Sequence, residues 1–249
     1  MKIKTLYSQI VAELRAQSDQ TQAEKDKVYH KKGYKSYGLK IPQVGAVIRN
    51  FKPIIGRLPL GEKFDLAELF YISGCAEEGH VGNAILTLGI DGIKPEHFSR
   101  IDKLLGYFNN WDEVDDFSIN VMQTLLNRYT KDTLNLLNSW NRSKNMWKRR
   151  ASVVVFVRKV GASGSYTDVV FEFCDKLLCD EEDLVLKAVG WVLKDNIVGS
   201  KKRVIDYIKD LRRSGVSSVI TLYAIRAQND KERKEILDVR QAKKGGDKL

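Results

Sequence analysis

The sequence predicts an all-α fold made of many short helices, and three observations support this prediction. All four prolines lie within the first 95 residues, so the rest of the chain lacks the residue that a helix interior tolerates least. Apolar side chains recur at helical spacing, clearly so over residues 125–137 and 177–192. No segment shows the sustained alternation of apolar and polar residues between hairpin turns that is typical of β-strands.

Signals that start and end helices divide this pattern into successive elements. Pro42 suits the first turn of a helix, and the acids near Asp132 and Asp183 lie where the positive end of a helix dipole favours them. The polar stretch 18–27 is compatible with both helix and loop, whereas residues 33–40 are expected to form a loop. Helices are predicted at residues 2–17, 42–56, 64–74, 78–89, 95–108, 111–129, 131–142, 145–160, 165–179, 181–196, 200–214, 215–227 and 229–241.

The spacing of these helices favours a repeat architecture. Short helices paired at intervals of about 40 residues and joined by short polar connectors are typical of HEAT-type repeats. Such repeats stack into a curved solenoid, an α–α superhelix with an extended concave surface. We therefore predict one HEAT-like repeat domain over residues 1–241, with a concave basic face, followed by a disordered tail at 242–249. Because the repeat is inexact, a globular helical bundle is the alternative.

The charge balance points to a polyanionic partner. Forty-two Lys and Arg residues against 32 Asp and Glu residues give a net charge of +10. Such a surplus favours nucleic acid and, less commonly, an anionic membrane surface. A basic protein with no such partner is the alternative that charge alone leaves open.

Cysteine and histidine usage indicates a reducing compartment and no metal site. The three cysteines are odd in number and spread along the chain, and the three histidines are not at zinc-ligand spacing with any of them. Charged residues interrupt the N-terminal segment where a signal peptide needs an apolar run, and the longest apolar stretch, 151–157, is too short for a bilayer. We expect a monomeric, cytoplasmic protein without metal, cofactor or membrane partner.

A tryptophan and a carboxylate share one helix face in the first candidate site, residues 109–116. If a helix begins near Asn110, Trp111 and Asp115 are four residues apart and lie on the same side. The alternative is a well-capped helix whose four acids respond only to the dipole. Whether Asp115 or Asp116 faces a substrate stays open.

Basic residues and tryptophans alternate in the second candidate site, residues 142–159, which contains no acid. Such a mixture fits phosphate contacts beside groups that touch sugar or base. A solvated helix face is the alternative, although such faces usually mix both signs of charge. The candidate DNA contacts here are Trp147, Lys148, Arg149 and Arg150.

The third candidate site is the segment 187–194 and the basic residues that follow it. Gly190 lies in the middle of a predicted helix, where glycine is unfavourable, so it marks close helix packing. Trp191 by itself is more typical of a core than of a site. The candidate DNA contacts are Lys187, Lys194, Lys201, Lys202 and Arg203.

Three motifs resemble those of the AlkD-like DNA alkylation repair enzymes, in the order and at about the spacing of that family. Three motifs in register are more specific than any one of them, and a fourth, weaker match precedes them. The motifs are WDEVD (111–115), WKRRAS (147–152) and KAVGWVLKD (187–195), with the weaker YHKKGYKSYGLKIPQ (29–43).

The resemblance implies a HEAT-like solenoid that cradles alkylated duplex DNA and acts as a DNA glycosylase. The reaction it implies is hydrolysis of the N-glycosidic bond of cationic N3- or N7-alkylated purines, without flipping the base into a pocket. It assigns Asp115 as the catalytic carboxylate, Trp111 and Trp191 as aromatic walls, Arg150 as a backbone clamp, and Tyr29 as a tyrosine near the DNA. Lys40 is a further candidate contact.

Two segments depart from the family pattern. Only Lys40 is basic around Pro42, where the family is usually more polar, and residues 74–86 match the family only loosely. A HEAT-like protein that binds bent, branched or damaged DNA without catalysis is therefore the leading alternative. A protein–protein scaffold, the usual role of HEAT solenoids, is a third.

Overall fold

The computed structural model describes residues 3–30 and 33–239. Apart from an isolated β-bridge between Lys35 and Cys75, all regular structure in this part of the chain is helical, so the all-α prediction is confirmed. The predicted disordered tail, residues 242–249, lies outside the described residues. The α-helices are α1 (Ile3–Ala16), α2 (Gln20–His30), α3 (Ile41–Arg57), α4 (Leu60–Ile72), α5 (Ala76–Leu88), α6 (Phe98–Leu105), α7 (Trp111–Phe117), α8 (Gln123–Arg128), α9 (Thr130–Asn141), α10 (Met146–Val154), α11 (Arg158–Ala162), α12 (Thr167–Asp175), α13 (Asp183–Arg213), α14 (Ser218–Ala224) and α15 (Asp230–Leu237).

The chain divides into two compact units, residues 1–136 and 137–249, and the boundary falls inside α9. Each unit buries an apolar core of its own. The single repeat domain over residues 1–241 and its concave basic face stay predictions.

In the first unit α5 is the central helix, since it packs against α3, α4 and α7. Helix α1 packs on α3 and α4, and its Leu6, Ile10 and Leu14, about one turn apart, are almost fully buried. The first two turns of α5 are buried throughout, although they carry Glu77 and His80. Because buried ionisable groups need partners, the polar contacts of this unit concentrate around α5.

In the second unit the long helix α13 is the central element and packs against α10, α11, α12 and α14. Two helices were predicted here, at 181–196 and 200–214, and the structure confirms the division, because Ser200 has non-helical dihedral angles (φ −143°, ψ 52°) and α13 consists of two helical segments that meet at this residue. A Cβ on Gly190 would lie 2.6 Å from Cβ of Tyr223, so glycine permits the close packing of α13 on α14 that the sequence predicted.

The predicted helix 145–160 is wrong as a single element, because α10 ends at Val154 and α11 begins at Arg158. Arg158 has a φ of +59°, which interrupts the helix. Two side chains of α13 take up backbone groups freed by the break. Asp195 Oδ2 accepts from the Arg158 N–H at 2.7 Å, and the Asn196 amide donates to a carbonyl oxygen of the connecting turn at 3.2 Å.

Two other helices differ in detail from their predicted form. The helix predicted at 64–74 begins earlier, at Leu60, directly after Pro59, whose fixed φ suits a helix start. The helix predicted at 111–129 is continuous, but a π-helical turn at Ser118–Met122 joins α7 to α8. A π-helical turn widens the helix locally, which no apolar periodicity encodes.

The helices at residues 3–30 and 33–239 include none that combines the length and the apolar character needed to span a bilayer.

Candidate functional site

Helix α7 carries the predicted catalytic carboxylate and the first predicted tryptophan. Its N-cap is Asn110, whose Oδ1 accepts from the Glu113 N–H at 2.8 Å, so the first turn is capped and its acids lie at the positive end of the dipole. Trp111 is half-buried, and Asp115, one turn later, has 8% of its surface exposed. Capping explains the position of Glu113 in the first turn but not that of Asp115.

Trp111 belongs to a stack of aromatic rings. The His30 ring stacks on the indole at 5.0 Å between centroids, and the Tyr34 ring stacks on His30 at 4.0 Å. Tyr29, which is 73% exposed, meets the indole edge-on at 6.3 Å. Burial lowers the pKa of His30, so the central ring of the stack is neutral near pH 7. Tyr29 and Trp111, which were predicted separately as site residues, therefore lie together, and they are joined by two rings that sequence reasoning missed.

The carboxylate of Asp116 is held by three polar partners. The Asn83 and Asn120 amides donate to it at 2.7 and 2.6 Å, and His80 Nδ1 lies 3.3 Å away. A carboxylate engaged in this way fixes the packing of α7 on α5. These contacts account for the position of Asp116 in the fold, and Asp115 stays the predicted catalytic carboxylate.

His80 bridges two acids of α7. Its Nε2 lies 3.1 Å from Asp112 Oδ2, and its Nδ1 faces Asp116 Oδ2. Burial lowers the pKa of His80, but the two carboxylates outweigh burial and raise it to about 10. The imidazole is therefore a doubly protonated cation at neutral pH. Sequence reasoning missed it because Asp112 and Asp116 lie more than 30 residues further along the chain.

Glu113 lies on α7 and is neutral at pH 7. Burial raises the pKa of its carboxyl group to about 8. A Cβ on Gly79 would overlap this carboxyl group, so glycine at that position of α5 allows α7 to approach. Glu113 is thus enclosed between the two helices.

Trp191 lies on α13 and is largely buried, with 9% of its surface exposed. The guanidinium of Arg158 lies over its ring, 5.3 Å from the centroid. The low exposure of Trp191 fits a core residue. Its ring face nevertheless contacts one cation, the Arg158 guanidinium.

Arg149, which the sequence predicts as a DNA contact, has hydrogen-bond partners within the protein. Its Nε and Nη2 donate to the carboxylate of Asp180 at 2.6 and 3.0 Å, and its Nη1 donates to the carbonyl oxygens of Ser143 and Lys144, both at 3.0 Å. Four of the five donors of the guanidinium are thereby engaged. Sequence reasoning found no acid near this run of bases because Asp180 lies 31 residues away.

The other three candidates of α10 differ in burial. Trp147 and Lys148 are half-buried, whereas Arg150 is only 5% exposed and donates to the carbonyl oxygen of Leu184. Arg150 is therefore anchored to the start of α13 through that carbonyl.

Most of the basic residues of α13 pair with acids at the protein surface. Lys194 pairs with its neighbour Asp195, and these two side chains are only 18% and 13% exposed. At the surface, Lys201 pairs with Glu232, Lys202 with Asp206, and Arg203 with Asp168. Exposed pairs of this kind contribute about 0–1 kcal/mol each, so a phosphate can displace their acids. Lys187 is exposed and has no ion pair within the part of the chain that the structure describes.

Helix α3 carries two further exposed cations that sequence reasoning missed. Arg49 and Lys52 have no acid within ion-pair distance among residues 3–30 and 33–239. Both line a pocket of about 370 Å³ between α3 and α5, and Lys40, at the N-cap of α3, is exposed as well. The helix that contains Pro42 therefore carries more basic groups than the residues next to the proline suggest.

Comparison with known proteins identifies the chain. The family model described as DNA alkylation repair enzyme matches residues 10–227 of the 249. This chain belongs to the DNA alkylation repair enzyme family. A solved structure described as a predicted DNA alkylation repair enzyme from Enterococcus faecalis is similar, with a TM-score of 0.76 and 16% identity over 86% of this chain and 98% of that chain. No curated protein matches the chain.

Family membership confirms the resemblance carried by the three motifs, and every candidate residue of this DNA alkylation repair family member lies within the matched range. The similar solved structure supports the all-helical fold. Within residues 3–30 and 33–239, no three His, Cys, Asp or Glu side chains are grouped so as to hold a metal ion.

Proposed function

We propose that this protein is a DNA glycosylase that hydrolyses the N-glycosidic bond of cationic N3- or N7-alkylated purines in duplex DNA, without drawing the base into a pocket. The observation that carries the proposal is the α7 pair, a buried carboxylate at Asp115 one helical turn from Trp111, in a chain of the DNA alkylation repair family. The protein acts on alkylated double-stranded DNA as a cytoplasmic monomer, and the reaction needs no metal or cofactor.

The chemistry requires one carboxylate and no general acid. An alkylated purine carries a positive charge, so the electron pair of the breaking C1′–N bond neutralises it and the base leaves unassisted. The sugar becomes an oxocarbenium ion, which Asp115 stabilises through its negative charge. A water molecule then attacks C1′ and loses its proton to the same carboxylate.

Each of the two indoles, Trp111 and Trp191, is proposed to contact a cation through its face. An aromatic face attracts a cation by about 0.5–2 kcal/mol, and more so when water is excluded. The Arg158 guanidinium over Trp191 supports the capacity of that ring for such a contact. Trp111 makes the corresponding contact with its exposed part, while its stacked face is supported by His30.

DNA affinity comes from contacts to phosphates and sugars, which fix the register and carry no base sequence. Most of the proposed cations are exposed or held in weak surface pairs, whereas Lys148 is half-buried, Arg150 is 5% exposed and Arg149 is bound to Asp180. The proposed DNA-contacting residues are Tyr29, Lys40, Arg49, Lys52, Trp147, Lys148, Arg150, Lys187, Lys194, Lys201, Lys202 and Arg203.

A base-release assay tests this function. Duplexes carrying N7-methylguanine or N3-methyladenine are incubated with the wild type, with Asp115→Asn, and with Asp132→Asn, a matched control at an exposed acid of α9. We expect release by the wild type and the control and its loss in Asp115→Asn. Equal release by all three proteins would remove Asp115 from the reaction, and no release by any would remove the glycosylase assignment.

The second candidate function is binding of bent, branched or damaged DNA without catalysis. The low exposure of Asp115 and Trp191, 8% and 9%, favours it, because a duplex must reach both groups for excision. Tight, salt-sensitive binding to DNA junctions without base release would support this function over the first.

A further inference from the structure

The strongest polar arrangement outside the predicted site is the imidazole of His80 between two carboxylates of α7. Asp112 and Asp116 are four residues apart, so they lie on one face of α7, and His80 reaches both from α5. The side chain of His80 is 10% exposed, whereas those of Asp112 and Asp116 are 35% and 29% exposed. A buried cation thus faces two carboxylates that are partly open to solvent.

This arrangement surrounds the candidate catalytic residue in sequence. Asp112 precedes Asp115 by three residues and Asp116 follows it directly, so all three belong to the same two turns of α7. Without a cation, Asp112 and Asp116 would add two negative charges to the helix where a polyanionic substrate is proposed. Like charges on neighbouring turns also destabilise a helix, so the acids require compensation.

Among the groups that surround His80, its imidazolium is the cation that compensates the charges of Asp112 and Asp116. From α7 it meets Asp112 and Asp116, and Glu113 on the same helix is neutral at pH 7 because burial raises its pKa. From α3, Arg49 and Lys52 line the same pocket as His80 and Asp116, but neither is within ion-pair distance of an acid in the described ranges. Asn83, on α5, donates to Asp116 and accepts from the Tyr71 hydroxyl, so it adds no charge.

We propose that His80 is a positioning residue for the reaction at Asp115. Its imidazolium cancels one of the two charges of Asp112 and Asp116 and fixes both turns of α7 on α5. Asp115 thereby keeps its place on the helix, and the helix carries one negative charge less toward DNA. This inference rests on the proposed glycosylase function and names a residue that acts through α7 without touching the substrate.

If His80 acts through its charge, a second substitution that restores the charge balance should restore activity, whereas a role in packing alone predicts no such recovery. His80→Gln removes the cation and leaves two carboxylates facing each other, so we expect base release to fall about tenfold, within the range for coupled neighbours. His80→Gln combined with Asp112→Asn returns the cluster to one negative charge. We expect this double variant to recover release to within about threefold of the wild type. His97→Gln, a histidine at a short 3₁₀ turn of the same unit, is the matched control and should match the wild type.

The measurements are the single-turnover rate of base release, the salt dependence of DNA affinity, and circular dichroism of each variant. Recovery in the double variant, with restored rate and weaker salt-dependent repulsion, supports the proposal. A double variant as slow as His80→Gln, or a single variant as fast as the wild type, overturns it. A wild type that releases no base defeats the proposed function instead, so the two failures are distinguishable.

A second measurement needs only the wild type, so it tests the proposal even if the variants do not fold. Nitrogen-15 shifts of the imidazole in the wild type report its protonation directly. Both ring nitrogens of His80 should remain protonated at pH 8. An imidazole of His80 with one bare nitrogen at pH 8 overturns the proposal, whatever the enzymatic activity.

Discussion

The His80 cluster makes the stability of the protein depend on pH in a narrow and testable window. The folded state holds the proton of His80 up to about pH 10, whereas an unfolded histidine loses it near 6.5. The stabilisation is therefore complete below pH 6.5 and is lost as pH rises through the folded pKa. In that range each proton changes the free energy of unfolding by about 1.4 kcal/mol per pH unit.

The difference between the wild type and His80→Gln from pH 8 to pH 9 isolates this effect. Burial raises the pKa of Glu113 to about 8 and also raises the pKa of the Cys75 thiol, but these two groups titrate in both proteins. We expect the wild type to lose about 1 kcal/mol of unfolding free energy between pH 8 and 9 beyond the loss seen in His80→Gln. Asp112 and Asp116 are about a third exposed, so solvent screening keeps the figure below the full slope.

Urea denaturation at pH 8.0, 8.5 and 9.0 measures this difference. His80→Gln should also be less stable by about 3 kcal/mol at pH 7, because it leaves two carboxylates without their buried cation. His97→Gln is the control and should follow the wild-type slope. Parallel pH curves for the wild type and His80→Gln would refute the ionised bridge.

Three further predictions concern packing, a buried ion pair and DNA contacts. Gly190→Ala places a Cβ against Tyr223 and should cost about 1–3 kcal/mol in thermal unfolding; an unchanged melting temperature would contradict the close packing of α13 on α14. Asp180→Asn removes the charged partner of Arg149, whose side chain is 18% exposed, and should lower the free energy of unfolding in urea by about 3 kcal/mol. A loss below about 1 kcal/mol would contradict a structural role of this ion pair. Lys187→Ala should weaken DNA binding at low salt and reduce the slope of log affinity against log salt by about 1, and an unchanged slope would remove Lys187 from the interface.

The helical fold could be predicted because the signals for it are local. Apolar periodicity and the position of the prolines gave the helices, and the mid-helix glycine at position 190 marked a close helix contact that the structure contains. The break between α10 and α11 could not be predicted, because the run 151–157 is apolar enough for a helix and is fully buried. Its interruption depends on Asp195 and Asn196, about 40 residues away, which bind the backbone groups that the break frees.

The candidate site could be predicted in its residue types and less well in its partners. Trp111 and Asp115 lie one turn apart on α7, as helical spacing predicted, and Tyr29 lies beside Trp111. The pairing of His80 with α7 and of Arg149 with Asp180 joins residues more than 30 positions apart. Such contacts are set by tertiary packing, and a single sequence holds no local signal for them.

The single-turnover rate of base release from a duplex with one N7-methylguanine tests the central claim most directly, with enzyme in excess and DNA binding measured in the same samples. The account predicts that Asp115→Asn binds the duplex as the wild type does and releases the base about 100-fold or more slowly, the scale on which loss of a transition-state charge acts. Release at the wild-type rate by Asp115→Asn would contradict it.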